Sequence, residues 1–497
     1  MAFRTPPASA SWRTAAASTA TALLLGATSC AGQATAAQEE PGAGERLFPA
    51  LGTTGYDATA YDVSYDYRPD ATTMTSSVLV TAVAQQQLTE FSLDAAAREV
   101  SAVVVDGHPA GFRLLPGTEK LVVTPEHPLP PGRTFTTRVD FTADRAANPP
   151  SPALDLPAGT DWPWQSWIET PDGFALMGQP DRAHLFFPCN DVPGDKARTT
   201  FRVTAPSDLQ VVANGTLVSE APEGPGTRTV TYRTDDDIPT HVVQVAVGRF
   251  RPVAQEGPRG LPITSWIPAD RPELAASADD TAEQLQWVES ALGVEYPFDS
   301  YGVLAVDSDY NGVALETATL STLSAAELGL PGDQEAPTMV HELVHQWFGN
   351  AVSVRTWDDM WLSEGHATYY QWLWASEHGG QDLDATMREV YAADAAQRQQ
   401  SGPPGRLTSS LGVLFDTNAP GALTLYGLRE LVGPDVFARI EQAFFAEHRG
   451  RSASTADFTR VASEVAGRDL QPYVDSWVYG STTPPMPGHP DWTSELP

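Results

Sequence analysis

The chain has 497 residues, 41% of them hydrophobic, which is an ordinary globular composition and too much chain for one core, so two or three domains are expected. Acids outnumber bases 63 to 30, a formal net charge of −33. That excess argues against a nucleic-acid partner, whose phosphates need a basic face, and no apolar run in the body of the chain is long enough for a membrane span.

The first residues have their own pattern. Arg4 and Arg13 are the only charges before a small, apolar run ending in TALLLGATSC. A basic start, an apolar middle and small residues make a signal peptide over 1–36, cut after Ala34-Thr35-Ala36. Cys30 behind small residues reads alternatively as a lipoprotein cleavage box with a lipid anchor. Both readings imply export, to a secreted or a cell-surface form, and both leave an acidic linker over 37–46. The two cysteines are Cys30 and Cys189, so removal or lipidation of Cys30 precludes an intramolecular disulfide.

Strand signals follow. Tyr61, Val63, Tyr65 and Tyr67 alternate in YDVSYDY, and VSAVVVDG ends in Asp106-Gly107, a hairpin signal. KLVVTP, TFRVTAP, TRTVTYRT and HVVQVAVGRF continue the series between Gly- and Pro-rich turns. Such punctuation predicts a β-sandwich domain over 47–252. Beyond it the period changes. SADDTAEQLQWVESALG places Ala282, Leu285, Val288 and Leu292 on one helical face, with Gly293 as the stop. Helical patterns dominate to the end, so a second, mostly helical domain is expected over 253–497, and the fold class is multi-domain α+β.

One of those helices carries chemistry. In APTMVHELVHQWFG, Pro337 suits the first turn and Gly349 the end. His341 and His345 are four apart, so their rings project from one face on successive turns. Glu342 lies at the border of that face, within reach of a water on the metal. A third ligand comes from WLSEGHATYY, where Glu364 follows His345 after eighteen residues, room for a loop and entry into a neighbouring helix. Two histidines and a glutamate make a zinc set, one ion per chain, and three ligands leave the open position of a catalytic site rather than the closed shell of a structural one. Zinc polarises a carbonyl and acidifies water, with Glu342 as general base and then acid, so the pattern implies a hydrolase.

These residues resemble the gluzincin aminopeptidases related to aminopeptidase N. HELVHQWFGNAVSVRTWDDMWLSEGHATYYQWLW is similar to that family's zinc segment, QPDRAHLFFPCNDVPGDKARTTF to its amino-terminal signature, and GALTLYGLRELVG to the helix after its catalytic tyrosine. The resemblance implies a β-rich saddle domain followed by a thermolysin-like catalytic domain, and removal of amino-terminal residues from peptides with a free amino terminus. It also implies that Glu316, in VALET, binds the substrate α-ammonium with help from Gln179. The longer members carry a further helical domain over the cleft, so an open, two-domain site is expected here.

The chain departs from the family at three places. VALET has Val313, Leu315 and Thr317 where the motif has Gly, Met and Asn. His366 replaces an aromatic, and reads as a packed histidine or an extra imidazole near zinc. Asn418 stands where the family's oxyanion-stabilising tyrosine would be, three residues before Gly-Ala-Leu, which implies reduced turnover; Tyr310 and Tyr426 are looser candidates for that hydroxyl. The alternatives are a non-catalytic zinc-containing peptide-binding protein and a zinc endopeptidase, which would not need Glu316. Cys189 reads as a buried structural thiol, and Trp162, Trp164 and Trp167 as packing at a domain interface.

Overall fold

The alternation in YDVSYDY builds the strand Tyr56–Asp66, whose Tyr61, Val63 and Tyr65 are buried while the residues between them are partly exposed. The computed structural model describes residues 42–115, 117–152, 154, 156, 165–308 and 314–494. The expected signal segment with Cys30, the start of the linker, Trp162, Trp164, Tyr310 and Val313 lie outside the described residues.

Tyr56–Asp66 sits inside an eight-stranded sheet. Its strands run in the order Thr216–Gly224, Thr227–Arg233, Arg198–Pro206, Tyr56–Asp66, Thr73–Ala84, Thr134–Asp144, Glu99–Val105 and His108–Pro109. Neighbours pair antiparallel, except that Tyr56–Asp66 runs parallel to Arg198–Pro206. The Asp106-Gly107 hairpin forms as read. Both residues have positive φ, 49° and 82°, the turn that matches strand twist, and Val105 pairs with His108. A four-stranded sheet (Gln210–Ala213, Val245–Gly248, Gly173–Leu176, Trp167–Thr170) and a three-stranded one (Phe91–Asp94, Lys120–Thr124, Gly111–Leu115) complete the β domain. Trp167 is fully buried among Tyr65, Phe174 and Phe186, with ring centroids 5.0–6.3 Å away, so it packs the β-domain core rather than a domain interface. Cys189 is a buried free thiol, its backbone paired with Asp94.

The strand Phe250–Glu256 runs through the boundary expected at 252. It pairs with Pro262–Pro268 and belongs to a five-stranded sheet that continues through Val303–Val306, Ser321–Ser324 and the edge strand Ala314–Leu315. Helices then take over: α1 (Ala275–Asp279), α2 (Thr281–Leu292), α3 (Ala325–Leu328), α4 (Gly332–Val344), α5 (Trp361–Glu377), α6 (Leu383–Ser401), α7 (Asn418–Val432), α8 (Pro434–His448), α9 (Thr455–Ala466) and α10 (Gln471–Val474). A β-rich domain followed by a helical one is the α+β arrangement expected. Gly293 ends α2 in the left-handed conformation, φ 66°.

Helix α4 differs from its expected bounds. It starts at Gly332, so Pro337 lies within the helix instead of in its first turn, and it ends at Val344 with His345 as cap, before Gly349. Proline is tolerated there because the bond it forgoes would reach Asp333, near the exposed helix start. Among the described residues no helix is long and apolar enough to cross a membrane.

The two domains are joined by buried polar contacts as well as apolar ones. Lys196 of the β domain donates to the carbonyls of Asn350 and Ala351, both at 2.8 Å, just beyond the metal-site helix. Asn350 in turn donates to the carbonyl of Glu316 at 2.7 Å. The chain therefore holds Glu316, just after the edge strand Ala314–Leu315, and the loop after α4 in one frame tied to the β domain.

Candidate metal centre and active site

Helix α4 projects His341 and His345 one turn apart, and α5 lies beside it. Their Nε2 atoms are 3.2 Å apart, and the Oε2 of Glu364, in the first turn of α5, is 3.3 Å from one and 3.8 Å from the other. Ligand bonds of about 2.0–2.1 Å in a tetrahedral array put neighbouring donors roughly 3.3 Å apart, so this triangle is the size a zinc ion spans. All three side chains are buried, and no other cluster of three His, Cys, Asp or Glu donors lies close enough to hold an ion among the described residues.

The far side of each ring sets its tautomer. His341 Nδ1 donates to Gln371 Oε1 at 3.0 Å. His345 Nδ1 faces the Phe348 carbonyl at 3.2 Å and Ser363 Oγ at 3.0 Å. Both Nε2 lone pairs are thereby left to point at one spot. Burial holds both histidines in the neutral form a ligand needs, pulling His345 down to about 3 and His341 well below its ordinary value. Two lone pairs and a carboxylate converging at this range repel one another until a cation lies between them. Gln371 and Ser363 escaped notice in the sequence. Gln371 had a signal: it is seven residues after Glu364, on the same face of α5 two turns on.

The six expected site residues, Gln179, Glu316, His341, Glu342, His345 and Glu364, line a single cleft between the domains. Glu342 is buried with its Oε2 unpartnered. Burial, reinforced by the neighbouring Glu364 charge, pushes it up to about 8. Glu316 is also buried, its Oε1 unpartnered, and burial plus the Glu364 and Glu342 charges raise it well above the usual carboxylate range. Gln179 comes from the opposite, β-domain wall, half-buried, with an unpartnered Oε1. Behind Gln179, Arg182 forms a two-pronged pair with Glu119 at 2.8 and 3.1 Å. His184 lies between Glu119 and Asp191 at 3.1 and 2.6 Å. Burial would pull His184 down, but hydrogen bonds to Asp191 and Glu119 outweigh it and hold it at about 9.

His366 is fully buried away from the metal group, stacked on Phe348 at 4.0 Å, with its Nδ1 against the Leu362 carbonyl at 2.6 Å. It is a packed histidine. Tyr426 bonds Asp384 and His489 at 3.0 and 2.8 Å and does not reach the cleft. Asn418 does line the cleft, and its Nδ2 donates to Glu364 Oε2 at 2.5 Å.

The Peptidase family M1 domain model matches residues 276–477, and the Peptidase M1 N-terminal domain model matches 175–242. A crystal structure of an M1 zinc metallopeptidase from Deinococcus radiodurans is 30% identical, covers 90% of this chain and 98% of that one, and superposes with a TM-score of 0.75. The chain belongs to peptidase family M1. A variant of the same Deinococcus enzyme, bound to a Tyr-Ser-Ala substrate, shares 30% identity with this M1 chain over 90% of it and all of its own length, with a TM-score of 0.75. Among curated relatives, Aminopeptidase 2 of Candida albicans is 26% identical over 320 residues, 60% of this chain and 34% of that one. Glutamyl aminopeptidase of Bos taurus is 25% identical over 322 residues, 60% and 33%. The M1 chain thus matches about a third of the length of these curated relatives. Its family and its donor set, His341, His345 and Glu364, fit a zinc ion.

Proposed function

We propose that the protein is an exported zinc aminopeptidase that hydrolyses the first peptide bond of substrates with a free amino terminus. The observation that carries this reading is Glu316: its carboxylate is buried in the cleft that holds the metal group, and its Oε1 has no partner there. A buried, unpaired anion calls for a cation, and a peptide's α-ammonium lies one residue from the scissile carbonyl. A divalent ion and one ammonium together balance the three carboxylates Glu316, Glu342 and Glu364. Gln179, across the cleft, adds an amide acceptor for the same ammonium. The peptide held by the related Deinococcus enzyme supports a peptide in this cleft.

His341, His345 and Glu364 would hold the zinc, which supplies a Lewis acid that polarises the carbonyl and acidifies water. Glu342 takes the proton of the attacking water at its free Oε2 and returns it to the leaving nitrogen as the C–N bond breaks. No tyrosine is found among the described residues that line the cleft. With Asn418 in the place of the family's tyrosine, loss of one oxyanion donor would cost about 3 kcal/mol, roughly a hundredfold in turnover.

Amino-acid p-nitroanilides, with and without an acetyl block, test the reading. The free-amine substrate should be cleaved and the blocked one spared. Glu342→Gln should abolish turnover with zinc retained, and Glu316→Gln should raise KM for free-amine substrates. Comparable cleavage of blocked peptides would make the protein an endopeptidase, and amine-dependent binding without turnover would make it a binding protein. The pattern over 1–36 supports export, and the amino terminus of the mature protein separates cleavage after Ala36 from lipidation at Cys30.

A further inference from the structure

We infer that Asn418 is a positioning residue for the third zinc ligand. The inference rests on the metal reading above but needs no turnover to test.

The Nδ2 of Asn418 lies 2.5 Å from Glu364 Oε2, the same oxygen that faces His341 at 3.3 Å and His345 at 3.8 Å. A carboxylate oxygen has two lone-pair directions. Here one is directed at the imidazole pair and the other is taken by the amide, so the bond fixes the rotation of the carboxylate about its side chain. An ionised carboxylate only accepts, so the amide must present its NH₂ to Glu364, and the orientation of Asn418 is set by chemistry. That commits one of the two amide N–H groups to the ligand and leaves the Oδ1 facing away from it. That oxygen is buried and unpartnered, and as an acceptor it cannot stabilise an oxyanion.

The helices hold this contact in place. Gly365, beside Glu364 on α5, meets Gly421 on α7 so closely that a Cβ at either position would stand 2.7 Å from the other's backbone. Asn418 is one turn before Gly421, at the start of α7. The glycine pair therefore brings the first residue of α7 onto the metal ligand of α5. A side chain of another length would reach Glu364 only after a shift of its rotamer or helix. An amide with one CH₂ is the length that bonds the ligand.

The test is zinc affinity of the full chain, by competition with a chromophoric chelator, together with the visible spectrum of the cobalt-substituted protein. Asn418→Leu keeps the volume and removes the donor, and Asn418→Ala removes the donor without adding bulk. Both should weaken zinc about 10–100-fold and shift the cobalt bands, while the melting temperature of the metal-free protein stays near wild type. Asn418→Tyr, although it restores the family residue, should also weaken zinc. Asn418→Gln, which keeps an amide donor, should recover part of the loss. Wild-type zinc affinity and an unchanged cobalt spectrum in the Leu and Ala variants would overturn the assignment, whether or not the protein proves to be a peptidase.

Discussion

Gly365→Ala probes how closely the metal ligand depends on helix packing. The new Cβ would lie 2.7 Å from the Gly421 carbonyl carbon, 2.8 Å from its Cα and 3.1 Å from its oxygen. Carbon atoms rest at about 3.5–4.0 Å, so α5 and α7 must part by roughly 0.8 Å. Neither neighbour is a flexible side chain, so the strain is relieved by moving a helix. Overpacking of this kind costs about 1–3 kcal/mol, and alanine's better helix propensity returns about 1 kcal/mol. The net loss is then up to about 2 kcal/mol, a fall in Tm of a few degrees. The local effect is larger. The same displacement stretches the 2.5 Å bond from Asn418 to Glu364 past 3.2 Å, beyond good hydrogen-bond range. Calorimetry should show a modest loss in the metal-free protein, and chelator competition about a tenfold loss of zinc affinity. Gly421→Ala, whose Cβ would meet Gly365 Cα at 2.7 Å and the Trp361 carbonyl at 2.9 Å, should behave alike. Retention of both Tm and zinc affinity in Gly365→Ala would refute the argument that this glycine contact positions the ligand.

Two other outcomes are expected. Gln371→Leu leaves His341 Nδ1 without its acceptor, so metal analysis after dialysis against chelator should show zinc lost 10–100-fold more readily; unchanged retention would show that the tautomer is set elsewhere. His184 is held at about 9 in the folded protein against about 6.5 unfolded. The folded state therefore keeps a proton that the unfolded state releases, and this stabilisation, on the order of 3 kcal/mol, is complete below pH 6.5 and disappears as pH rises towards 9. Denaturation midpoints should fall across that window, and His184→Gln should flatten the slope; an equal slope in the variant would place the titration elsewhere.

Much of this protein could be read along the chain. The period-two runs, the Asp106-Gly107 turn, and the four-residue spacing of His341 and His345 are local patterns, each set by backbone geometry within a few residues. Glu364 could be placed because a short loop leaves its helix little choice but to pack beside the first. Pro337 is a strong local signal for a first turn, yet α4 starts five residues further back, in a turn whose Asp333 and Glu335 suit a helix start.

Other features depended on contacts between distant segments. Whether His366 faced the metal or the core could not be decided from its neighbours; packing against Phe348 decided it. Gln179 and Glu316 are 137 residues apart, and only the docking of the β domain, through contacts such as Lys196 on Asn350, sets them across one cleft. Asn418 read as a missing donor, because sequence shows which group is present but not where it points. The close approach of Gly365 and Gly421 turned its amide onto Glu364. Hydrogen bonds and lone pairs act over about 3 Å, a distance that chain order specifies within a helix turn and that only the folded packing specifies between segments.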